Sequence, residues 1–225
     1  MPILEKNHPR QMSDSYLTAV LIVLSGGLQD AYTYFCRGQV FANAQTGNVV
    51  LMSAQLASGQ WLRAVRYLIP LLCYVGGTVA AEMIHTRLGR SRKVHWRQLC
   101  LLGELLVLLV VGFLPQDLNI LANAMVSFAC AMQVQAFQKV HGYRYASTMC
   151  IGNLRSGTAA LCDFFRTRDR ADLHRGLTYF AVIVIFAVGA GVGYAATAWL
   201  GQYAIWVSCG LLLASCCILF IRSEA

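Results

Sequence analysis

TGNVVLMSAQLA, residues 46–57, and IGNLRSGTAALC, residues 151–162, are the stretches on which the reading of the fold turns. Each is apolar and helix-like, yet each runs to only about 12 residues, about 18 Å of helix, where roughly 20 residues are needed to cross about 30 Å of hydrocarbon. Both therefore read as re-entrant half-helices. Around them lie longer apolar blocks at 16–28, 67–83, 99–114, 120–137, 177–200 and 203–221. None of these alternates in the manner of a strand, which argues against a barrel.

Composition says the same on a coarser scale. Of 225 residues 57% are hydrophobic and 12% charged, against about 25% charged in an ordinary soluble domain. The mean hydropathy is +0.55. Such a chain carries more apolar surface than one globular core can hide, and the expected class is an all-α membrane protein of the bacterial inner-membrane type. The first 15 residues are polar and no small-residue cleavage site follows, so the first apolar run is expected to stay as a span after a tail over 1–15. Residues 16–225 then form a single membrane domain.

Loop charge fixes the number of spans. The net charge of +8 is concentrated: Arg87, Arg90, Arg92, Lys93 and Arg97 crowd one connection and Arg166, Arg168, Arg170 and Arg175 another, while 115–119 and 201–203 carry no Lys or Arg. If both short segments crossed, eight spans would put the first basic loop outside, against the positive-inside rule. If both are re-entrant, six transmembrane helices place Lys6, Arg10, both basic loops and Arg222 in the cytoplasm. Nucleic-acid binding is the rival reading of basic loops, but these abut spans and lack a basic-aromatic platform. No nucleic-acid partner is expected; the bilayer is.

The two short segments also expose an inverted repeat. Setting Thr46-Gly47-Asn48 on Ile151-Gly152-Asn153 brings Asp30-Ala31 onto Gln135-Ala136 and Leu56 onto Leu161. After a short insertion Tyr67 matches Tyr179, Gly77 matches Gly189 and Ala81 matches Gly193. Repeat one covers about 16–114 and repeat two about 120–222, each reading span, half-helix, span, span. Three crossings per half reverse the orientation of the second, the 3+3 plan of many transporters. Irregular backbone at membrane depth must be buried in protein or line a wet cavity, so the segments leading into the half-helices point to such a place.

The run GGLQDAYTYFCRGQVFANAQTGNVVLMSAQLASG (26–59), with Asp30-Ala31 near the end of span one and F-x-x-x-x-T-G-N leading into a short helix, resembles the YoaK-like family of bacterial membrane proteins, catalogued as a domain of unknown function. Gly152-Asn153-Leu154 is similar to that family's later motif. The resemblance covers about 15–222 and implies a multi-pass inner-membrane protein; it brings no activity with it. In plan the half-helices also resemble those of sulfate and uracil permeases, a likeness of architecture alone.

Candidate site residues follow from cost, since polar groups inside spans are expensive and usually functional. Gln29 and Asp30 lie past the centre of the first span, and Gln135 occupies the related place in the second half. Thr46, Gly47, Asn48, Gly152 and Asn153 mark half-helix starts, whose amides can hold an anion or a polar group; turn and cap chemistry is the plainer account of them. Arg155 projects from the second half-helix where Val50 stands in the first. It either serves an anionic solute or neutralises Asp30 as a buried pair. Glu82 and Glu104 are expected near the cytoplasmic ends of their spans, facing the basic loops.

Other chemistry is not signalled. The nine cysteines include no C-x-x-C and read as small buried hydrophobes, and the histidines sit in or beside basic connections without ligand spacing. No metal or cofactor is expected, nor an enzyme, because no nucleophile with its base and no phosphate loop is present. Gly76-Gly77 with Ala80-Ala81, and Gly189 with Gly193, mark close helix packing within the protomer or across a homodimer. The function expected is a transporter or channel-like permease for a small polar, by Arg155 anionic, solute. The alternative is a membrane scaffold or accessory protein.

Overall fold

The computed structural model describes residues 16–89, 96–140, 143–145 and 147–223. The tail with Lys6 and Arg10, the loop residues Arg90, Arg92 and Lys93, and His95, His141 and Gly142 lie outside the described residues.

Helix dominates, as the unbroken apolar blocks require. The elements are α1 (Tyr16–Cys36), α2 (Gln45–Ala57), α3 (Trp61–Leu88), α4 (Trp96–Phe113), α5 (Asn119–Ala136), α6 (Cys150–Thr167), α7 (Arg170–Leu200) and α8 (Ile205–Ser223). A two-residue hairpin, β1 (Lys139–Val140) against β2 (Tyr143–Arg144), precedes α6. Four helical stretches are long and apolar enough to cross a membrane: Trp61–Leu88, Trp96–Phe113, Gln116–Ala136 and Arg170–Leu219. The last contains α7 and most of α8, joined by a 3-10 turn at Gly201–Ala204. α1 has 21 residues but interrupts its apolar run with Gln29 and Asp30, and is not among the four.

α2 and α6 both start where expected, but only α2 is short: α6 is as long as α4 and α5, which corrects the length expected of it. α2 has 13 residues, but α6 has 18 and continues past Cys162 through Asp163 and Arg166. Apolar pattern marks where a helix is covered, not where it ends. α6 stops only at Arg168, in the left-handed region at φ 60°, and the Asp169 carboxylate then accepts from the Ala171 amide at 2.9 Å to start α7.

Packing is arranged in matching pairs. α1 lies against α7 and α8 as α5 lies against α3 and α4; α2 rests on α3 as α6 rests on α7; α4 and α8 meet each other. Two of these seams are glycine contacts. A Cβ on Gly189 of α7 would strike the carbonyl oxygen of Leu24 in α1, and one on Gly77 of α3 would strike that of Phe128 in α5. Backbones approach this closely only where no side chain intervenes, so the small-residue faces serve packing within the protomer.

The centre of α1, α4, α5 and α8 holds a polar cluster inside an apolar core that includes Leu101, Leu108, Val126 and Leu212. Gln29 Nε2 and Gln133 Nε2 both donate to Glu104 Oε1, at 2.9 and 3.0 Å. Gln29 also donates to Ser25 and Ser208. Glu104 is wholly buried, which corrects its expected place beside a basic loop; sequence position along a helix gives depth but not facing. Glu82 is exposed; its Oε2 accepts from Gln135 Nε2, and its Oε1 lies 3.7 Å from His85 Nδ1. The cysteines divide: Cys100, Cys130, Cys209 and Cys216 are buried, whereas Cys162 and Cys217 are exposed, against the general expectation of burial.

Candidate solute site between two short helices

The site is built where the chain turns back after α1. Gly38 at φ 89° and Gln39 at φ 63° occupy the left-handed region, which reverses the backbone toward α1. Arg37 pins the reversal. Wholly buried, it donates from Nε to Tyr32 Oη (2.7 Å), from Nη1 to the Pro115 carbonyl and Asn119 Oδ1, and from Nη2 to the Val111 carbonyl. Its acceptors include carbonyls at the C-terminal end of α4, where the helix dipole favours a cation.

The returning strand of backbone then reaches α1 again. The Asn43 amide donates to Asp30 Oδ1 at 2.7 Å, and Asn43 Nδ2 reaches the Gly26 carbonyl at 3.4 Å. Asn48 holds the approach in shape. Its Oδ1 accepts from the Phe41 amide at 2.9 Å and its Nδ2 donates to the Phe41 carbonyl at 2.7 Å, mimicking a backbone pair. Phe41 stacks on Tyr34 with ring centroids 4.6 Å apart. The second half arrives at the same turn of α1, because a Cβ on Gly26 would lie 2.6 Å from Thr148 Cγ2. Gly26 and Asp30 are one turn apart on one face, so the two chain reversals converge there.

Between the starts of α2 and α6 lies a cavity of about 870 Å³. Asp30, Asn43, Gln45, Thr46 and Thr148 contribute polar side chains to its lining, and Tyr34, Phe41, Tyr74 and Phe186 supply much of the apolar remainder. Asn43 Oδ1 and Thr148 Oγ1 are buried and have no hydrogen-bond partner. Their neighbours close both atoms off, so they stand behind the cavity wall rather than open on it.

Of the residues expected from the sequence, Asp30, Thr46 and Gly152 line this cavity. Gly47 packs on the Phe41 ring and Asn48 is the loop's clamp. Gln29 belongs to the Glu104 cluster, and Gln135 donates to Glu82 Oε2 at 2.8 Å. Asn153 is buried on α6 outside the cavity lining, while Arg155 is exposed and absent from that lining. Asp30 is therefore not half of an Asp30–Arg155 pair; backbone amides hold it. The start of α2 is likewise less open to an anion than expected. The amides of Asn43, Gln45 and Gly47 are taken by Asp30 and by the carbonyls of Asn43 and Ala44.

Asn43 and Thr148 were not singled out by sequence, although a signal for them exists. Each stands five residues before the asparagine of its G-N pair, at matched places in the two halves.

The family described as "Protein of unknown function (DUF1275)" matches residues 18–218. The chain is similar to the "UPF0700 transmembrane protein YoaK" of Bacillus subtilis (strain 168), with 23% identity over 199 residues covering 83% of this chain and 86% of that protein. No solved structure matches it.

Proposed function

The chain belongs to the DUF1275 family of transmembrane proteins of unknown function, and from that premise we propose that it is a transporter or channel-like permease whose small polar solute binds between the tips of α2 and α6. The observation that carries this reading is the cavity between the starts of α2 and α6, lined by the Asp30 carboxylate of α1 and by Asn43 and Thr148, one residue from each chain reversal. A carboxylate within a membrane-crossing helix is costly and usually functional.

In this reading α1, α3, α4, α5, α7 and α8 cross the inner membrane and α2 and α6 are re-entrant. Both termini and the basic connections at Arg87 and Arg170 face the cytoplasm. The pairwise helix contacts support an inverted 3+3 repeat, since exchanging α1–α4 for α5–α8 returns the same principal pairings.

Flux through reconstituted vesicles tests the reading. Purified protein in liposomes is expected to speed the release of at least one of a set of small ammonium, hydroxyl and carboxylate solutes. Thr46→Trp, which fills the cavity mouth, is expected to return release to the protein-free rate, while Gly191→Ala, at a glycine with open space around it, keeps it. Release no faster than from empty liposomes for every solute would leave the scaffold reading in place.

A further inference from the structure

We propose that a second pocket, over the reversal that joins α1 to α2, is an oxyanion site with Arg66 as its cation, and that it holds the carboxylate of a small organic acid beside the cavity; its place on the external side rests on the permease reading above. The pocket has a volume of about 450 Å³ and is lined by Tyr34, Phe35, Gly38, Gln39, Arg66 and Tyr67. Tyr34 and Phe35 also line the larger cavity, so the two spaces adjoin along the last turns of α1. The polar side chains here are open to a ligand. Gln39 is exposed, and Arg66 and Tyr34 are half-buried.

Arg66 stands in the second turn of α3 and lies over the reversal. Its Nη2 donates to the Gly38 carbonyl at 2.9 Å, and a Cβ on Gly38 would stand 2.5 Å from that nitrogen, so the glycine leaves the room in which the guanidinium rests. Holding one carbonyl takes one N–H, and the fork carries five. Among the described residues Arg66 has no carboxylate partner, and it is the one charged side chain in the pocket lining. Arginine at an external helix end also runs against the charge rule that the basic connections follow, so topology does not call for it there. A planar fork with the Gln39 amide and the Tyr34 hydroxyl beside it offers donors to a planar carboxylate, and the Phe35 and Tyr67 rings cover an apolar body.

The test compares 4-fluorobenzoate with 4-fluorobenzyl alcohol on protein in phosphatidylcholine nanodiscs. Binding is read as broadening of the fluorine NMR line that unlabelled benzoate reverses. The carboxylate is expected to bind at least tenfold more tightly than the alcohol, a ratio of about 1.4 kcal/mol. Arg66→Lys is expected to weaken it about tenfold, because a point charge does not match two oxygens at once, and Arg66→Gln to abolish it. Gln39→Glu, an isosteric change at an exposed loop residue, is expected to abolish it as well by placing a carboxylate in the pocket, and it keeps the test alive if the Arg66 variants fail to fold. Arg63→Gln, on the same end of α3 but outside the lining, is expected to leave binding unchanged. Equal binding of acid and alcohol, no binding of the acid, or wild-type affinity in Gln39→Glu would overturn the site. Native mass spectrometry in which the wild type, but not Arg66→Gln, retains phosphatidylglycerol would assign the pocket to a lipid headgroup and overturn the solute role. Solute release from liposomes without carboxylate binding leaves permeation standing without this site, and carboxylate binding without release of any solute leaves this site standing without permeation.

Discussion

Replacing Gly189 by leucine is expected to lower stability by more than about 3 kcal/mol, which for a chain of this size removes on the order of 10 °C from Tm. The reason is specific to one seam. A Cβ at Gly189 would meet the Leu24 carbonyl oxygen and stand 2.9 Å from Leu24 Cα, so backbone rather than a movable side chain blocks it. The larger residue forces α7 away from α1, and with it the floor on which Asn43 and Thr148 rest. Two residues on, Gly191 faces open space, and a Cβ there would have no neighbour within 4 Å. Gly191→Ala is expected to change stability by less than about 0.5 kcal/mol. Thermal unfolding of both variants checks the contrast; equal Tm values would contradict the seam.

Arg37→Ala is expected to be comparably severe, at about 3–5 kcal/mol. It removes a wholly buried guanidinium and leaves the Val111 and Pro115 carbonyls and Asn119 Oδ1 without that donor. Each buried acceptor so stranded costs about 1–3 kcal/mol. Arg37→Lys is expected to recover only part of the loss, because a single ammonium cannot span acceptors that a planar fork reaches from three nitrogens. The effect is read as Tm in detergent or nanodiscs, and a wild-type Tm for the alanine variant would remove Arg37 from its anchoring role.

How far the sequence carries can be judged at particular residues. The starts of α2 and α6 were legible because an apolar helical segment after a polar, irregular stretch has few other readings, and Thr46, Gly152 and Asp30 do line the cavity. Facing was harder to read. Asn153 and Arg155 are two positions apart, about 200° around a helix, and so they cannot share one face. Gln29 and Asp30 are adjacent and diverge by about 100°; one joins the Glu104 cluster and the other the cavity. The anchoring by Arg37 was invisible for a different reason. Its acceptors on α4 and the following turn lie more than seventy residues away in sequence, and no local pattern announces a partner at that distance. Asn43 and Thr148 were within reach of the repeat register, but neither residue type is costly enough at a loop position to draw notice.

Permeation requires that water and solute reach the space between the tips of α2 and α6 from both sides of the membrane. Right-side-out and inverted membrane vesicles, each treated with a charged, membrane-impermeant thiol reagent, decide this at native Cys150, with the exposed Cys162 on the same helix as an internal reference. A permease built around this cavity predicts modification of Cys150 from either face, suppressed by Thr46→Trp. Reaction of Cys162 from one face, with Cys150 inert from one or both, would contradict it.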